Sequence, residues 1–395
     1  MANEANKVTI NDVAKAAGVS KGTVDRVLHN RGEVSAKSKE AVLRVIEELG
    51  FRPNLYASLL ASQKSIRIQC IIPEYFTGEF WSLTDKGIQD AAELVSRYGV
   101  VVEPVKYDQY DFESFRAVCE KVLSDPPAGV VIAPMFGDET LKFVQELSEK
   151  NVPYIYIDSK LEDDDYFAYF GMPMYQSGYL CADIMTDGRS VPGKVFIVRI
   201  ARDKKGLSDP TLMRRQGFKD YVAEKYPNTE IVNIFIDPKD RDAMDATLDE
   251  VFDGCEGEKY IVMFNSRVHL VADYIRRREL NDCRVVGFDV LEKNLNALRD
   301  GSVQLLIAQH TDSQTVAAVS ALVDYILLGK QVAKKDNFTQ MDILLGSNGR
   351  YQPCLRSTPL SWRRTCRFCC RCRSRYSFQL FGDLHHSKMY ILISY

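Results

Sequence analysis

The sequence predicts an all-α unit followed by an α/β domain of two lobes, each built on a doubly wound parallel sheet. The chain has 395 residues, more than the roughly 250–300 that a single hydrophobic core organises. Apolar residues in the 8–52 segment recur at helical spacing. From 66 to 345, short continuous apolar runs alternate with amphipathic helical runs, which is typical of parallel sheets covered on both faces.

The N-terminal unit reads as a helix-turn-helix. Val13, Ala14 and Ala17 give a first helix one apolar face, and Gly18 supplies the backbone freedom that a tight turn needs. Ser20 is placed to cap a second helix, whose apolar positions are Val24, Val27 and Leu28 and whose outward positions are short or cationic. Such a helix fits the major groove of DNA.

The same segment resembles the DNA-binding headpiece of the lactose-repressor family, whose pattern is T-I-x-D-V-A-x-x-A-G-V-S-x-x-T-V-S-R-V-L-N. This chain reads TINDVAKAAGVSKGTVDRVLH over the same positions. One departure is Asp25, where the family has Ser. Its carboxylate would be repelled by phosphate, so the sequence leaves open whether it pairs with Lys21 or Arg26 or faces away from DNA.

The resemblance implies a set of DNA contacts. Lys21 and Gly22 would read base edges, and Arg26 would reach a guanine or a neighbouring phosphate. Phosphate contacts would come from a second group of hydroxyl-bearing residues, Thr9, Ser20, Thr23 and Ser35. His29 is expected to touch backbone or base, with an ordinary surface histidine as the alternative.

Residues 53–64 are predicted to form a linker that is a second DNA element. In the family, this segment becomes a helix on DNA and wedges a leucine from each of two subunits into the minor groove. Asn54, Ala57 and Leu60 match the motif, whereas Ser58 replaces its arginine. The alternative is that the leucines pack one linker helix on another. A single headpiece neutralises few phosphates, so a homodimer on a pseudo-palindromic operator is expected.

Nine strands are predicted between residues 66 and 345: Ile66–Ile72, Val100–Val105, Gly129–Ala133, Tyr154–Asp158, Lys194–Ile200, Ile231–Ile236, Tyr260–Phe264, Arg284–Phe288 and Leu305–Ala308. Ligands of open parallel sheets bind beyond the carboxyl ends of the strands, which points to a cleft between two lobes. The order of segments resembles the lactose-repressor family throughout, which implies a lobe pair like that of type I periplasmic sugar-binding proteins.

The resemblance also implies an effector site in this cleft, of a type suited to a carbohydrate. Its members would be an aromatic pair, two carboxylates, an amide, a guanidinium and two less well-marked positions: Phe80, Trp81, Asp158, Asp289, Asn265, Arg214, Phe170 and Gln309. Plainer alternatives remain open: Trp81 as a core residue, Arg214 as a surface cation, and the three residues at strand ends as caps. Met172, Pro173 and Met174 depart from the family, which favours a less usual effector.

Composition and motifs exclude several other classes. A net charge of −3 argues against a protein that coats nucleic acid. Neither a signal peptide nor a run of about 18 apolar residues is apparent, which predicts a cytoplasmic protein with no membrane partner. Cys70, Cys119 and Cys181 are predicted to be reduced core thiols. No cofactor or metal is expected, and no catalytic motif stands out, although Asp158 and Asp289 could in principle form a glycosidase pair.

From Gly346 onward the sequence changes character, with Arg as nearly its only charge and no apolar period. A shifted or extended reading frame that yields a disordered tail over 346–395 is the favoured hypothesis. Zinc or nucleic-acid binding through Cys366, Cys369 and their neighbours is the alternative, in a spacing unlike standard zinc sites. The whole chain is thus predicted to be an effector-controlled DNA-binding regulator; the alternative is a sugar-binding module with impaired DNA binding.

Overall fold

The computed structural model describes residues 9–28, 34–49, 66–161, 165–186, 193–200 and 211–346. The chain divides into two compact units, residues 1–65 and 66–395. His29, Asn54, Ala57 and Leu60, the 53–64 linker and all of the tail after Gly346 lie outside the described residues, so the expectations for them stay predictions. In the described part, no helix is both long enough and apolar enough to cross a membrane.

The first unit contains three described helices, α1 (Ile10–Ala17), α2 (Lys21–Leu28) and α3 (Ala36–Leu49). The side chain of Thr9 and that of Asp12 form a reciprocal capping box at the start of α1. Gly18 ends this helix with φ +66°, which confirms the turn glycine. Val13, Val24 and Val42 are fully buried where the three helices meet, so one valine from each helix forms the centre of the small core.

The first lobe of the second unit is a six-stranded sheet in the order β11-β5-β4-β3-β1-β2. Its strands are β1 (Ile66–Pro73), β2 (Val100–Tyr107), β3 (Gly129–Ile132), β4 (Tyr154–Asp158), β5 (Ala168–Gly171) and β11 (Asp336–Phe338). All neighbours pair in parallel. The described residues of this lobe form four helices: α4 (Phe80–Ser96), α5 (Phe112–Ser124), α6 (Gly137–Glu149) and α12 (Thr311–Leu328).

The second lobe repeats this arrangement in the order β12-β10-β9-β8-β6-β7. Its strands are β6 (Lys194–Ile200), β7 (Glu230–Ile236), β8 (Lys259–Val262), β9 (Cys283–Phe288), β10 (Leu305–Ala308) and β12 (Asp342–Leu345), the last antiparallel to β10. Its helices are α7 (Met174–Thr186), α8 (Leu212–Lys225), α9 (Arg241–Phe252), α10 (His269–Arg277) and α11 (Glu292–Arg299). The predicted fold class is therefore confirmed.

The chain crosses between the lobes three times. It leaves the first lobe after β5, returns to it after β10 to form α12 and β11, and crosses again to add β12 to the second sheet. The sequence pattern missed β5, β11 and β12. β11 in particular is a three-residue strand, Asp-Asn-Phe, with no apolar alternation that would mark it.

The predicted thiol environment is also observed. Cys70 and Cys181 are fully buried and Cys119 nearly so, and none of the three forms a disulfide. Burial raises the pKa of each of these thiols well above its usual range. These cysteines are therefore protonated members of the cores at neutral pH.

Candidate effector cavity and DNA-reading helix

A cavity of about 550 Å³ lies between the two lobes. Residues that end or follow parallel strands of both sheets line it, among them Asp158, Asn265 and Asp289, as expected for open parallel sheets. Seven of the eight predicted effector residues line it, namely Phe80, Trp81, Asp158, Arg214, Asn265, Asp289 and Gln309. Residues far apart in the sequence are therefore brought together at one place.

Arg214, on the first turn of α8, forms hydrogen bonds with two other residues that line the cavity. Its guanidinium donates to the carbonyl oxygen of Phe264 and to Oε1 of Gln309, both at 2.9 Å. Gln309 in turn donates from Nε2 to Asp289 Oδ1 at 2.8 Å. The surface-cation alternative for Arg214 is wrong, because the side chain is 3% exposed. The chain Arg214–Gln309–Asp289 holds three buried polar groups in fixed positions.

Asp158 and Asp289 face this arginine from opposite lobes, one at the end of β4 and one directly after β9. Both have left-handed backbones, with φ of +64° and +71°, which turn the chain at the strand ends. Burial raises the pKa of Asp158 to about 7 and that of Asp289 to about 6, while the charge of Arg214 acts in the opposite direction. The site therefore has two carboxylates that titrate near neutrality.

The aromatic pair opens α4 at the edge of the cavity. The rings of Phe80 and Trp81 meet edge to face, with centroids 4.9 Å apart. Trp81 belongs to the buried core of the first lobe and also lines the cavity, so both interpretations made from the sequence apply to it. The pair contributes an apolar wall to a cavity whose lining also contains charged groups.

Asn265 lies at the turn after β8. Its Oδ1 accepts from the backbone N–H of Arg267 at 2.9 Å, so the residue stabilises the turn before α10 as well as lining the cavity. Arg267 then reaches across the cavity, where its guanidinium lies 3.5 Å from Oε1 of Glu79 in the first lobe. This pair joins the two lobes, and no motif in the sequence marks either residue.

Phe170 requires a correction. The structure places it in the middle of β5, paired with β4 and β11, and packs it in the first-lobe core rather than among the residues that line the cavity. Met172, two residues later, is fully buried, and its sulfur lies 3.4 Å from the Arg214 guanidinium. Met172, one of the residues that depart from the family pattern, thus places a weak hydrogen-bond acceptor beside Arg214.

The helical unit presents the predicted reading face. Lys21, Gly22 and Arg26 are exposed on α2, and Thr23 is half-buried. The Oγ of Ser20 accepts from the backbone N–H of Thr23 at 3.1 Å, which confirms the predicted cap. Arg26 donates from Nε to the carbonyl oxygen of Gly22 at 3.2 Å.

Of the four hydroxyl-bearing residues predicted to bind phosphate, Thr9, Ser20 and Ser35 cap helices, whereas Thr23 lies in the first turn of α2. Besides Thr9 and Ser20, Ser35 caps the first turn of α3 by accepting from the backbone N–H of Ser38 at 3.2 Å. Helix N-termini attract phosphate through their unpaired N–H groups, so these caps lie where the predicted contacts would be made. No group of three or more His, Cys, Asp and Glu side chains in the described ranges could hold a metal ion.

Comparison with known proteins matches both units. Residues 9–54 fit the model of the bacterial regulatory proteins of the lacI family, and residues 70–331 fit that of the periplasmic binding protein domain. A crystal structure from Bacteroides fragilis, described as a LacI transcriptional regulator, is 30% identical with a TM-score of 0.69, and the match covers 73% of this chain and 100% of that one. The chain belongs to the lacI family.

Curated lacI-family relatives carry regulatory names. The ribose operon repressor of Halalkalibacterium halodurans is 31% identical over 229 residues, which are 58% of this chain and 62% of that protein. Catabolite control protein A of Priestia megaterium is 32% identical over 148 residues, which are 38% of this chain and 42% of that protein. The chain thus spans about half the length of the curated relatives that it matches.

The lobes also resemble a sugar-binding protein. The glucose-galactose binding protein GanP of Geobacillus stearothermophilus has a TM-score of 0.62 at 19% identity, with 72% of this chain and 99% of that chain covered. At this identity the likeness concerns the fold alone.

Proposed function

We propose that this lacI-family protein is a sequence-specific transcriptional regulator, most simply a repressor, whose operator affinity is set by a carbohydrate in the interlobe cavity. The observation that carries the proposal is that one chain combines a helix with an exposed Lys21–Arg26 face and a cavity lined by buried charged groups. The regulatory names of the relatives support the proposal. As a DNA-binding regulator it would act in the cytoplasm.

The lining of the cavity suits a polyhydroxylated ligand. Ionised Asp158 and Asp289 accept hydrogen bonds, Arg214 donates them, and Asn265 can do both. The Phe80–Trp81 wall would pack against the C–H face of a sugar ring. A ligand with alternating hydroxyl and C–H surfaces therefore matches the cavity better than an apolar ligand or a simple ion.

The DNA side of the proposal requires two copies of the chain. The exposed face of α2 offers two cations, Lys21 and Arg26, which neutralise few phosphates. A homodimer doubles these contacts on a pseudo-palindromic operator and fixes the spacing of its half-sites. Ligand in the cavity would change the closure of the lobes and hence operator affinity, with a coupling free energy of about 1–3 kcal/mol.

Genomic DNA selection with the purified full chain, followed by footprinting, tests the proposal. A protected pseudo-palindrome is expected, with sedimentation showing two chains per site. Arg26→Ala should weaken operator binding by about tenfold or more. The matched control is Arg44→Ala, which removes an exposed arginine of α3 that pairs with Glu48 in the same helix.

The outcomes of this experiment test the DNA-binding unit and the effector cavity separately. Selection of no sequence, together with weak binding that salt abolishes, would contradict sequence-specific regulation. Equal losses in Arg26→Ala and Arg44→Ala would contradict the assignment of α2 as the reading helix. Release or strengthening of the operator complex by a sugar would identify the effector as an inducer or a corepressor.

A further inference from the structure

The interlobe cavity extends well beyond the polar cluster described above. In the first sheet, β4 carries Asp158 and the edge strand β2 leads to Tyr110, with β3 and β1 between them. In the second sheet, Asp289 follows β9 and Pro238 follows the edge strand β7, with β8 and β6 between them. Three strand spacings, about 14 Å in all, separate the two ends in each lobe.

The two ends differ in chemistry. The inner subsite consists of Asp158, Arg214, Asp289 and Gln309, all buried and charged or strongly polar. The outer subsite consists of Phe76 and Tyr110 from the first lobe and Ile200 and Pro238 from the second, with the amide of Gln109 beside them. A polar inner end and a ring-rich outer end thus face each other along one cavity.

Phe76 is the most exposed large apolar side chain of the outer subsite. It is 81% exposed, while its backbone N–H donates to Oε2 of Glu79 at 3.0 Å. Tyr110 is 42% exposed, and its ring lies 4.9 Å from the Lys239 ammonium of the opposite lobe. Two accessible aromatic rings at a cavity mouth are suited to pack against a ligand ring.

The volume of the cavity favours a ligand larger than one sugar. The 550 Å³ available lies in the range of roughly 300–1,000 Å³ that holds drug-sized ligands, whereas a monosaccharide has only about a dozen non-hydrogen atoms. A single ring in the inner subsite would leave the outer one empty. We propose that the outer subsite binds a second sugar ring, so that the effector is a disaccharide. This inference rests on the proposed carbohydrate function.

Titration calorimetry on the full chain tests the inference with two sets of probes. The monosaccharides are ribose, xylose, glucose and galactose, and the disaccharides are xylobiose, cellobiose, maltose and lactose. At least one disaccharide should bind about tenfold more tightly than its component monosaccharides, because the second ring adds aromatic contacts. Phe76→Ala should remove most of that gain and leave monosaccharide affinity within about twofold.

Phe338→Ala is the matched control, since Phe338 is an exposed phenylalanine of the first lobe that does not line the cavity. Phe338→Ala should change neither the monosaccharide affinity nor the disaccharide affinity. Monosaccharide binding that no disaccharide exceeds would overturn the outer subsite and leave the carbohydrate function standing. A disaccharide advantage that survives Phe76→Ala and Tyr110→Ala would also overturn it. Binding of no sugar in either set would refute the carbohydrate function and the subsite with it.

Discussion

At the scale of single residues, burial changes the acid–base chemistry of the two cavity carboxylates. Asp158 and Asp289 are 8% and 4% exposed, and their pKa values of about 7 and about 6 are raised chiefly by burial. A raised carboxyl pKa means that the folded state binds protons more tightly than the unfolded chain between about pH 4 and pH 7. Ionisation of these carboxylates therefore lowers the free energy of unfolding progressively as the pH rises from about 4 to 7. The loss is complete above about pH 7 and absent below about pH 4.

The first prediction concerns Asp158→Asn. The variant should be more stable than the wild type at pH 8, by about 2 kcal/mol, because it removes a buried charge, and the advantage should disappear as the pH falls toward 4. It should also bind sugar more weakly, since the amide accepts fewer hydrogen bonds. Urea unfolding across this pH range measures the first effect. The exposed Asp138→Asn serves as control, and equal pH profiles for the two variants would contradict the argument.

At the scale of elements, the position of Arg214 depends on the close packing of α7 against α8. Gly178 on α7 lies against the backbone of Arg214, and Gly217 on α8 lies against the backbone of Tyr175. A Cβ at either position would overlap a carbonyl oxygen of the other helix. The two glycines therefore set the helix separation that brings the arginine to the cavity.

The second prediction is that Gly178→Ala lowers stability by about 1–3 kcal/mol, because the added methyl forces the helices apart. Arg214 moves with α8, so sugar affinity should fall as well. Gly193→Ala, in the same lobe but with open space around its Cβ, should change neither property. Thermal unfolding and calorimetry compare the two variants; an unaltered Gly178→Ala protein would show that this helix contact does not position Arg214.

A second element-scale feature connects two crossover segments. His310, between β10 and α12, places its Nε2 2.8 Å from Oδ2 of Asp342, the first residue of β12. The hydrogen bond to Asp342 raises the pKa of His310, with Asp312 contributing in the same direction, and the pKa of Asp342 is lowered. The ion pair therefore stabilises the fold fully from about pH 4 to 6.5 and progressively less as His310 deprotonates at higher pH.

The third prediction follows from this window. His310→Gln should cost about 1 kcal/mol at pH 5.5 and much less at pH 9, since the wild type has by then lost the charged pair. His269 provides the contrast, because burial lowers its pKa and His269→Gln should be least harmful at low pH. Unfolding midpoints at the two pH values are the measurement. The same pH trend in both variants would refute the role of the pair.

At the scale of the whole molecule, an ion pair and a cation–π contact between described residues link the two lobes across the cavity. One is the ion pair of Arg267 with Glu79, at 3.5 Å. The other is the ammonium of Lys239 over the ring of Tyr110. Each is partly exposed and hence weak, in the range of about 1 kcal/mol or less. Because these contacts are weak, the binding free energy of a ligand is large enough to shift the equilibrium between open and closed lobes.

The fourth prediction is that Arg267→Gln lowers sugar affinity by about two- to fivefold, with a smaller difference at high salt, because the closed lobes lose an ion pair. Arg278→Gln removes an ion pair confined to the second lobe, with Asp249, and should leave affinity unchanged. Calorimetry at two salt concentrations, with the radius of gyration from solution scattering, provides the measurement. Equal losses in both variants would count against lobe closure.

The sequence by itself determined the elements whose signals are local. The cap at Ser20, the turn at Gly18 and the apolar periods of α1 and α2 lie within a few residues of each other, so the helix-turn-helix could be predicted. The same holds for strands built on continuous apolar runs, such as Val195–Val198 within β6. Asp158, Asn265 and Asp289 could be predicted to meet because residues at the carboxyl ends of parallel strands converge. For Phe80, Trp81, Arg214 and Gln309, only the resemblance to the lacI family indicated the cavity.

Only the tertiary structure decided which distant segments pair. β11 is too short and too polar to be marked by its own sequence, and its strand character depends on β5 being beside it. Phe170 could not be assigned to core or cavity without knowing this pairing. The raised pKa values of Asp158 and Asp289 and the Glu79–Arg267 pair likewise depend on burial and distance, which arise only when the two lobes fold and face each other.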